Sequence, residues 1–68
     1  MGLYWDTTYA TAIALIERYP EIDPIEVGLL ELANLVESLP DFKDDAELVT
    51  ERILKDIQIT WYEEISSS

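Results

Sequence analysis

The sequence contains neither cysteine nor histidine. Without cysteine it can form no disulfide and no thiolate-ligated metal site, and without histidine every side-chain ligand it offers a metal ion is an oxygen. The core must therefore come from the apolar residues, whose 49% share is normal for a folded domain. We expect one domain over residues 1–68, with 66–68 as a frayed tail, because 68 residues lie near the lower size limit for a single core.

Positive charge is also scarce, since four Lys and Arg stand against fifteen Asp and Glu and give a net charge of −11. Binding to nucleic acid or to an anionic membrane requires a basic surface, so both partners are disfavoured. Basic protein surfaces and cations are favoured. The alternative is that the acidity only keeps the protein soluble.

Long hydrophobic runs are absent, because no stretch approaches the roughly 20 apolar residues that a membrane-spanning helix needs. The amino end, Met1 to Asp6, has neither the basic start nor the apolar run of a secretory signal. We therefore expect a soluble cytoplasmic protein that is monomeric when free.

Helical signals occupy the first half of the chain. Apolar residues at three- and four-residue spacing predict a helix that begins near Thr7 or Thr8 and ends before Pro20. Next, Asp23-Pro24-Ile25-Glu26 combines an N-cap, a proline at the first helical position and an acid at the third. This pattern predicts a short helical turn, which we expect Gly28 to close, with a β-bridge near 27–29.

Two further helices are predicted in the second half. One runs from about Leu30 to Leu39, and the longer one runs from about Ala46 to Glu64 with Asp44 as its N-cap. The apolar face of the longer helix comprises Ile53, Leu54, Ile57, Trp61 and Ile65. We expect an all-α fold of about four helices with Trp5 and Trp61 in its core.

An ordered set of less common residues runs along nearly the whole chain. It comprises Met1-Gly2-Leu3, Trp5, Ala14-Leu15, Tyr19-Pro20, Asp23-Pro24, Val27, Leu39, Asp41-Phe42, Asp44-Asp45, Glu51, Ile53-Leu54, Ile57, Trp61 and Glu64. In this order the set resembles the IscX family of small acidic iron–sulfur cluster assembly proteins. The resemblance implies a compact helical fold related to the winged helix, used without DNA binding. It also implies an adaptor and regulator that docks on the cysteine desulfurase IscS and binds ferrous iron weakly through surface carboxylates.

Two acidic groups are candidates for metal binding, and no tightly bound cofactor is expected. They are Glu17, Glu21, Asp23 and Glu26 around the end of the first helix, and Asp41, Asp44, Asp45 and Glu47 in the loop before the last one. Several of these residues could act only as helix caps. Ligand sets made only of oxygen suit weakly held divalent cations and do not single out iron. Lys43 also replaces a third acid that IscX proteins typically carry after Asp-Phe, which weakens the expectation for the loop.

Partner binding is assigned to the carboxyl-terminal acids and to three tyrosines. Glu63 and Glu64 lie where negative charge opposes the helix dipole, so their position lacks a local stabilising explanation. Tyr4, Tyr9 and Tyr62 are candidate exposed anchors.

Three other classes of function compete with this interpretation. An enzyme would need a concave, partly desolvated pocket, and so short a helical chain without histidine or cysteine offers little of either. A DNA-binding winged helix would need a basic recognition helix, whereas the predicted helix from Leu30 to Leu39 carries Glu31 and Glu37 and no base. An acidic protein-interaction domain outside iron–sulfur metabolism is the strongest alternative.

Overall fold

A computed structural model describes residues 2–67 of the chain. These residues form three α-helices and two short 3-10 turns. In chain order they are α1 (Thr8–Arg18), the turn Pro24–Glu26, α2 (Leu29–Glu37), the turn Ala46–Leu48, and α3 (Glu51–Ser67). The prediction of an all-α fold is confirmed, whereas the relation to the winged helix stays a prediction. None of the helices in the described part of the chain is long and apolar enough to cross a membrane.

Helix α1 begins and ends where the sequence predicts. Thr7 precedes it, and the Thr7 hydroxyl folds back on Tyr4, accepting from the Tyr4 amide at 3.0 Å and donating to its carbonyl at 2.8 Å. The helix ends at Arg18, after which the Tyr19 amide donates to the Leu15 carbonyl at 2.8 Å. The Thr7 hydroxyl makes no capping bond to the first turn of α1, and the Thr7 carbonyl accepts from the Thr11 amide at 2.9 Å. Pro20, one residue after Tyr19, disfavours continuation of the helix.

The turn at Pro24–Glu26 is confirmed, but the role predicted for Gly28 is wrong. The Asp23 carboxylate caps the turn by accepting from the Ile25 amide at 3.0 Å. Val27 ends it in an extended conformation (φ −88°, ψ 124°). Gly28 then serves as the N-cap of α2, and its carbonyl accepts from the Leu32 amide at 2.8 Å.

The prediction of one helix from Ala46 to Glu64 is wrong at its amino end. Asp45, not Asp44, caps the turn Ala46–Leu48, and Val49 is extended (φ −69°, ψ 142°). Helix α3 starts afresh because the Thr50 hydroxyl accepts from the Ile53 amide at 3.2 Å. A threonine hydroxyl competes in this way with continued helix and favours a new N-cap. The helix continues through Ser67, and Ser68 lies outside the described residues.

The predicted β-bridge near 27–29 is also wrong. Within residues 2–67 the isolated bridge that forms is parallel and joins Leu3 to Phe42. The Leu3 amide donates to the Asp41 carbonyl at 2.7 Å, and the Lys43 amide donates to the Leu3 carbonyl at 2.9 Å. The bridge fastens the amino-terminal segment to the loop that precedes α3.

The core lies where α3 packs mainly against α1, and also against α2 and the turn Pro24–Glu26. Both tryptophans are buried as predicted. Ile65, expected on the buried face of α3, is instead 41% exposed. The buried apolar residues are Trp5, Ala12, Leu15, Val27, Leu32, Ala33, Val36, Leu39, Leu54, Ile57 and Trp61.

Candidate functional site

Two of the carboxylates predicted as metal ligands organise the loop before α3. Asp44 accepts from the Trp5 amide at 3.0 Å and from the Asp45 amide at 2.8 Å, using a different oxygen for each. Asp45 accepts from the Glu47 amide at 2.9 Å, while its carbonyl accepts from the Trp5 indole at 2.8 Å. Trp5 also packs edge-on against Phe42, with ring centroids 4.8 Å apart. The Asp44 carboxylate therefore holds the backbone of Trp5, and the Asp45 carboxylate holds the turn that follows it.

The rest of the acidic loop faces solvent. Asp41 and Glu47 are exposed, and Asp41 lines a shallow groove of about 250 Å³ together with Glu17 and Arg18. Lys43 extends its methylene chain over the amino-terminal segment, because a Cβ added at Gly2 would lie 2.8 Å from the Lys43 Cδ. In this groove Arg18 lies beside Glu17 and Asp41, two of the predicted metal ligands.

The first acidic group is divided between different places on the surface. Glu17 lies in the groove with Asp41, whereas Glu21 and Asp23 line a second groove of about 320 Å³. Glu26 is exposed on the turn Pro24–Glu26. In the described part of the chain, no three carboxylates come together as a group that could hold a metal ion. The metal ligands therefore stay a prediction.

The carboxyl-terminal acids differ in exposure. Glu63 is exposed and lines a third groove, of about 380 Å³, whose other walls include Ile25 and Ile59. Glu64 is half-buried, and its carbonyl accepts from the Ser67 hydroxyl at 3.3 Å. The last turn of α3 contains no base to offset the pair.

The three tyrosines predicted as anchors are all exposed, Tyr4 by 42%, Tyr9 by 61% and Tyr62 by 46%. Tyr62 differs from the other two because it lines two grooves, the one with Ile25 and the neighbouring one with Pro20. It is the residue that the two linings share.

Two residues of this region, Ile25 and Ile59, do not appear among the predicted site residues. They are 65% and 55% exposed. Ile59 falls outside the buried stripe of α3, and Ile25 occupies a short turn, so an apolar residue out of register is the signal that could have found them. Hereafter the Tyr62 surface means the apolar residues Ile25, Ile59 and Tyr62 with the acidic residues Glu21, Asp23 and Glu63.

Gln58 fixes the geometry of the Tyr62 surface. Its side-chain nitrogen donates to the Pro24 carbonyl at 2.7 Å and to the Val27 carbonyl at 2.8 Å. These bonds attach both ends of the turn Pro24–Glu26 to α3, and they thereby hold Ile25 beside Ile59. The surface is built on two elements whose relative position is set by hydrogen bonds.

Comparison with known proteins places nearly the whole chain in one protein family. The family model described as iron-sulphur cluster assembly matches residues 3–66. An uncharacterized protein of Pseudomonas aeruginosa is 41% identical over 64 residues, which cover 94% of this chain and 97% of the relative. The similarity thus spans nearly the full length of both proteins.

Proposed function

The chain belongs to the iron–sulfur cluster assembly family, the IscX family, and from this premise we propose that it is a non-catalytic adaptor that docks on the cysteine desulfurase IscS. Docking would let it regulate cluster assembly in the cytoplasm. The family match over residues 3–66 is the observation that carries the proposal.

The distribution of charge supports docking on a basic surface. Thirteen of the fifteen acidic residues are exposed, and Asp44 and Glu64 are half-buried. Within residues 2–67 the one ion pair is between Lys55 and Glu51, at 3.1 Å on an exposed helix face, so the negative charge is left largely uncompensated. Such a surface attracts a basic partner over a distance and speeds its association. Repulsion between the negative surfaces of two copies also favours a monomer when the protein is free.

We further propose that ferrous iron binds weakly as cargo to exposed carboxylates. Since no three carboxylates among the described residues converge, any one site has at most two carboxylate side chains, and water would complete the coordination. Two pairs of the predicted ligands each line one groove, Glu17 with Asp41 and Glu21 with Asp23. The second pair is better placed for a cation, because Arg18 lines the groove of the first pair and no base lines the groove of the second. Sites of this kind lie at the weak end of the range for oxygen ligands.

The docking proposal is tested by measuring association with purified cysteine desulfurase immobilised on a sensor surface. Reversing charge at Glu63 and Glu64, or at Glu17 and Asp41, should slow association more than it speeds dissociation. Asp44 is excluded from these variants, because its loss would disturb the amide of Trp5. A wild-type chain that shows no binding at physiological salt would overturn the proposed function.

A further inference from the structure

We infer that the Tyr62 surface is the docking face, and that it receives a basic amphipathic segment of the partner. A large apolar side chain of that segment would lie among Ile25, Ile59 and Tyr62, and its Lys or Arg residues would face Glu21, Asp23 and Glu63. The inference rests on the proposed function for the identity of the partner.

Three of the exposed large apolar side chains lie together at this surface. Ile25 is 65% exposed and Ile59 is 55% exposed, although both are side chains that folding normally buries. Together with Tyr62 they line one groove of about 380 Å³. Single exposed apolar residues are common on soluble proteins, whereas these three side chains share one groove with the polar residues Gln58 and Glu63 at its border.

The Tyr62 surface is also preorganised, because hydrogen bonds within the free protein fix its turn. The Asp23 carboxylate fixes the Ile25 amide, and Gln58 holds the carbonyls on both sides of the turn. Binding to an ordered surface costs less conformational entropy than binding that must first order it. The turn Pro24–Glu26 therefore presents Ile25 as a fixed wall of the groove.

The charge around these grooves specifies a basic occupant. Glu63 lines one groove, Glu21 and Asp23 line the other, and neither lining includes a base. The groove of Glu17 differs, since Arg18 stands beside its acids. Lys55 lies one helical turn before Ile59 on the same helix, but it is absent from both linings and is paired with Glu51 at 3.1 Å. A second copy of the chain, with its own charge of −11, would meet repulsion here, whereas a Lys- or Arg-bearing segment would be attracted.

The test measures binding of the full chain to purified cysteine desulfurase after changing the apolar residues one at a time. Ile25→Ser and Ile59→Ser should each weaken affinity about tenfold, mainly through faster dissociation, because they remove apolar contact at the centre of the interface. Leu30→Ser is the matched control. Leu30 is an 81% exposed apolar residue on α2 and lies in neither groove lining, so this variant should bind as wild type does.

The possible outcomes separate the inference from the proposed function. If wild type binds and the two serine variants bind equally well, the docking face lies elsewhere and the inference fails while the proposed function stands. If wild type does not bind, the proposed function itself fails. Sedimentation of the free protein tests the remaining occupant, because a wild-type dimer that Ile59→Ser dissociates would assign this surface to a second copy and overturn the inference.

Discussion

The two buried tryptophans differ in how their indole nitrogens are bonded, and this difference predicts unequal effects of the same substitution. Trp5 is 3% exposed, and its indole donates to the Asp45 carbonyl at 2.8 Å. Trp61 is completely buried, and its indole nitrogen has no acceptor among the described residues. Replacing each by phenylalanine removes the same atoms, including one N–H donor.

The free energies of unfolding should therefore diverge. Trp5→Phe loses a hydrogen bond worth about 1 kcal/mol in addition to its packing loss. Trp61→Phe suffers a similar packing loss but removes a buried donor whose unpaired state costs about 1–3 kcal/mol. We expect Trp5→Phe to be the more destabilising variant by about 2 kcal/mol or more.

Urea denaturation followed by circular dichroism measures this difference, provided that the dependence of the unfolding free energy on urea is the same in all variants. Trp61→Ala serves as the reference for a large cavity and should cost about 3–5 kcal/mol. If Trp61→Phe proves as destabilising as Trp5→Phe, the Trp61 indole has a hydrogen-bond partner and the reasoning is refuted.

Three further predictions follow from single contacts and from the ligand set. Asp44→Ala should destabilise the fold by about 1–3 kcal/mol, because the Trp5 amide loses its acceptor; Asp41→Ala is the exposed control and should change the urea midpoint little. Thr50→Ala should cost about 1 kcal/mol through loss of the N-cap of α3, and an unchanged melting temperature would contradict the assigned cap. Ferrous iron should bind at tens of micromolar or weaker by anaerobic titration and be displaced by excess calcium or magnesium. A nanomolar, iron-exclusive site would contradict the proposed ligands.

Sequence reasoning located the elements whose signals are local. Helix α1 and the turn Pro24–Glu26 are each defined by residues within a few positions of their ends, such as Thr7, Asp23 and Pro24. The start of α3 was misplaced because apolar periodicity runs on through Val49, whereas the Thr50 hydroxyl caps a new helix. Asp45 and Thr50 are both possible caps for the last helix. Which of them starts the long helix depends on how the chain packs, and the apolar periodicity carries no information about that packing.

The candidate site depended on contacts between distant parts of the sequence. Gln58 bonds to the Pro24 carbonyl across 34 positions, and Asp44 bonds to the Trp5 amide across 39. The first contact assembles the Tyr62 surface, and the second shows that a candidate metal ligand has a structural role. Composition predicted an acidic surface and exposed tyrosines, but only the folded chain brings Ile25 beside Ile59.

The salt dependence of binding to cysteine desulfurase tests the central claim most directly. Electrostatic screening has a length of about 8 Å at physiological salt and about 3 Å at 1 M, so attraction through summed charge is largely lost between these conditions. We predict that the dissociation constant, measured by calorimetry at both concentrations, rises by about tenfold or more while some affinity remains from the apolar groove. An affinity that is the same at both salt concentrations would contradict docking driven by negative charge.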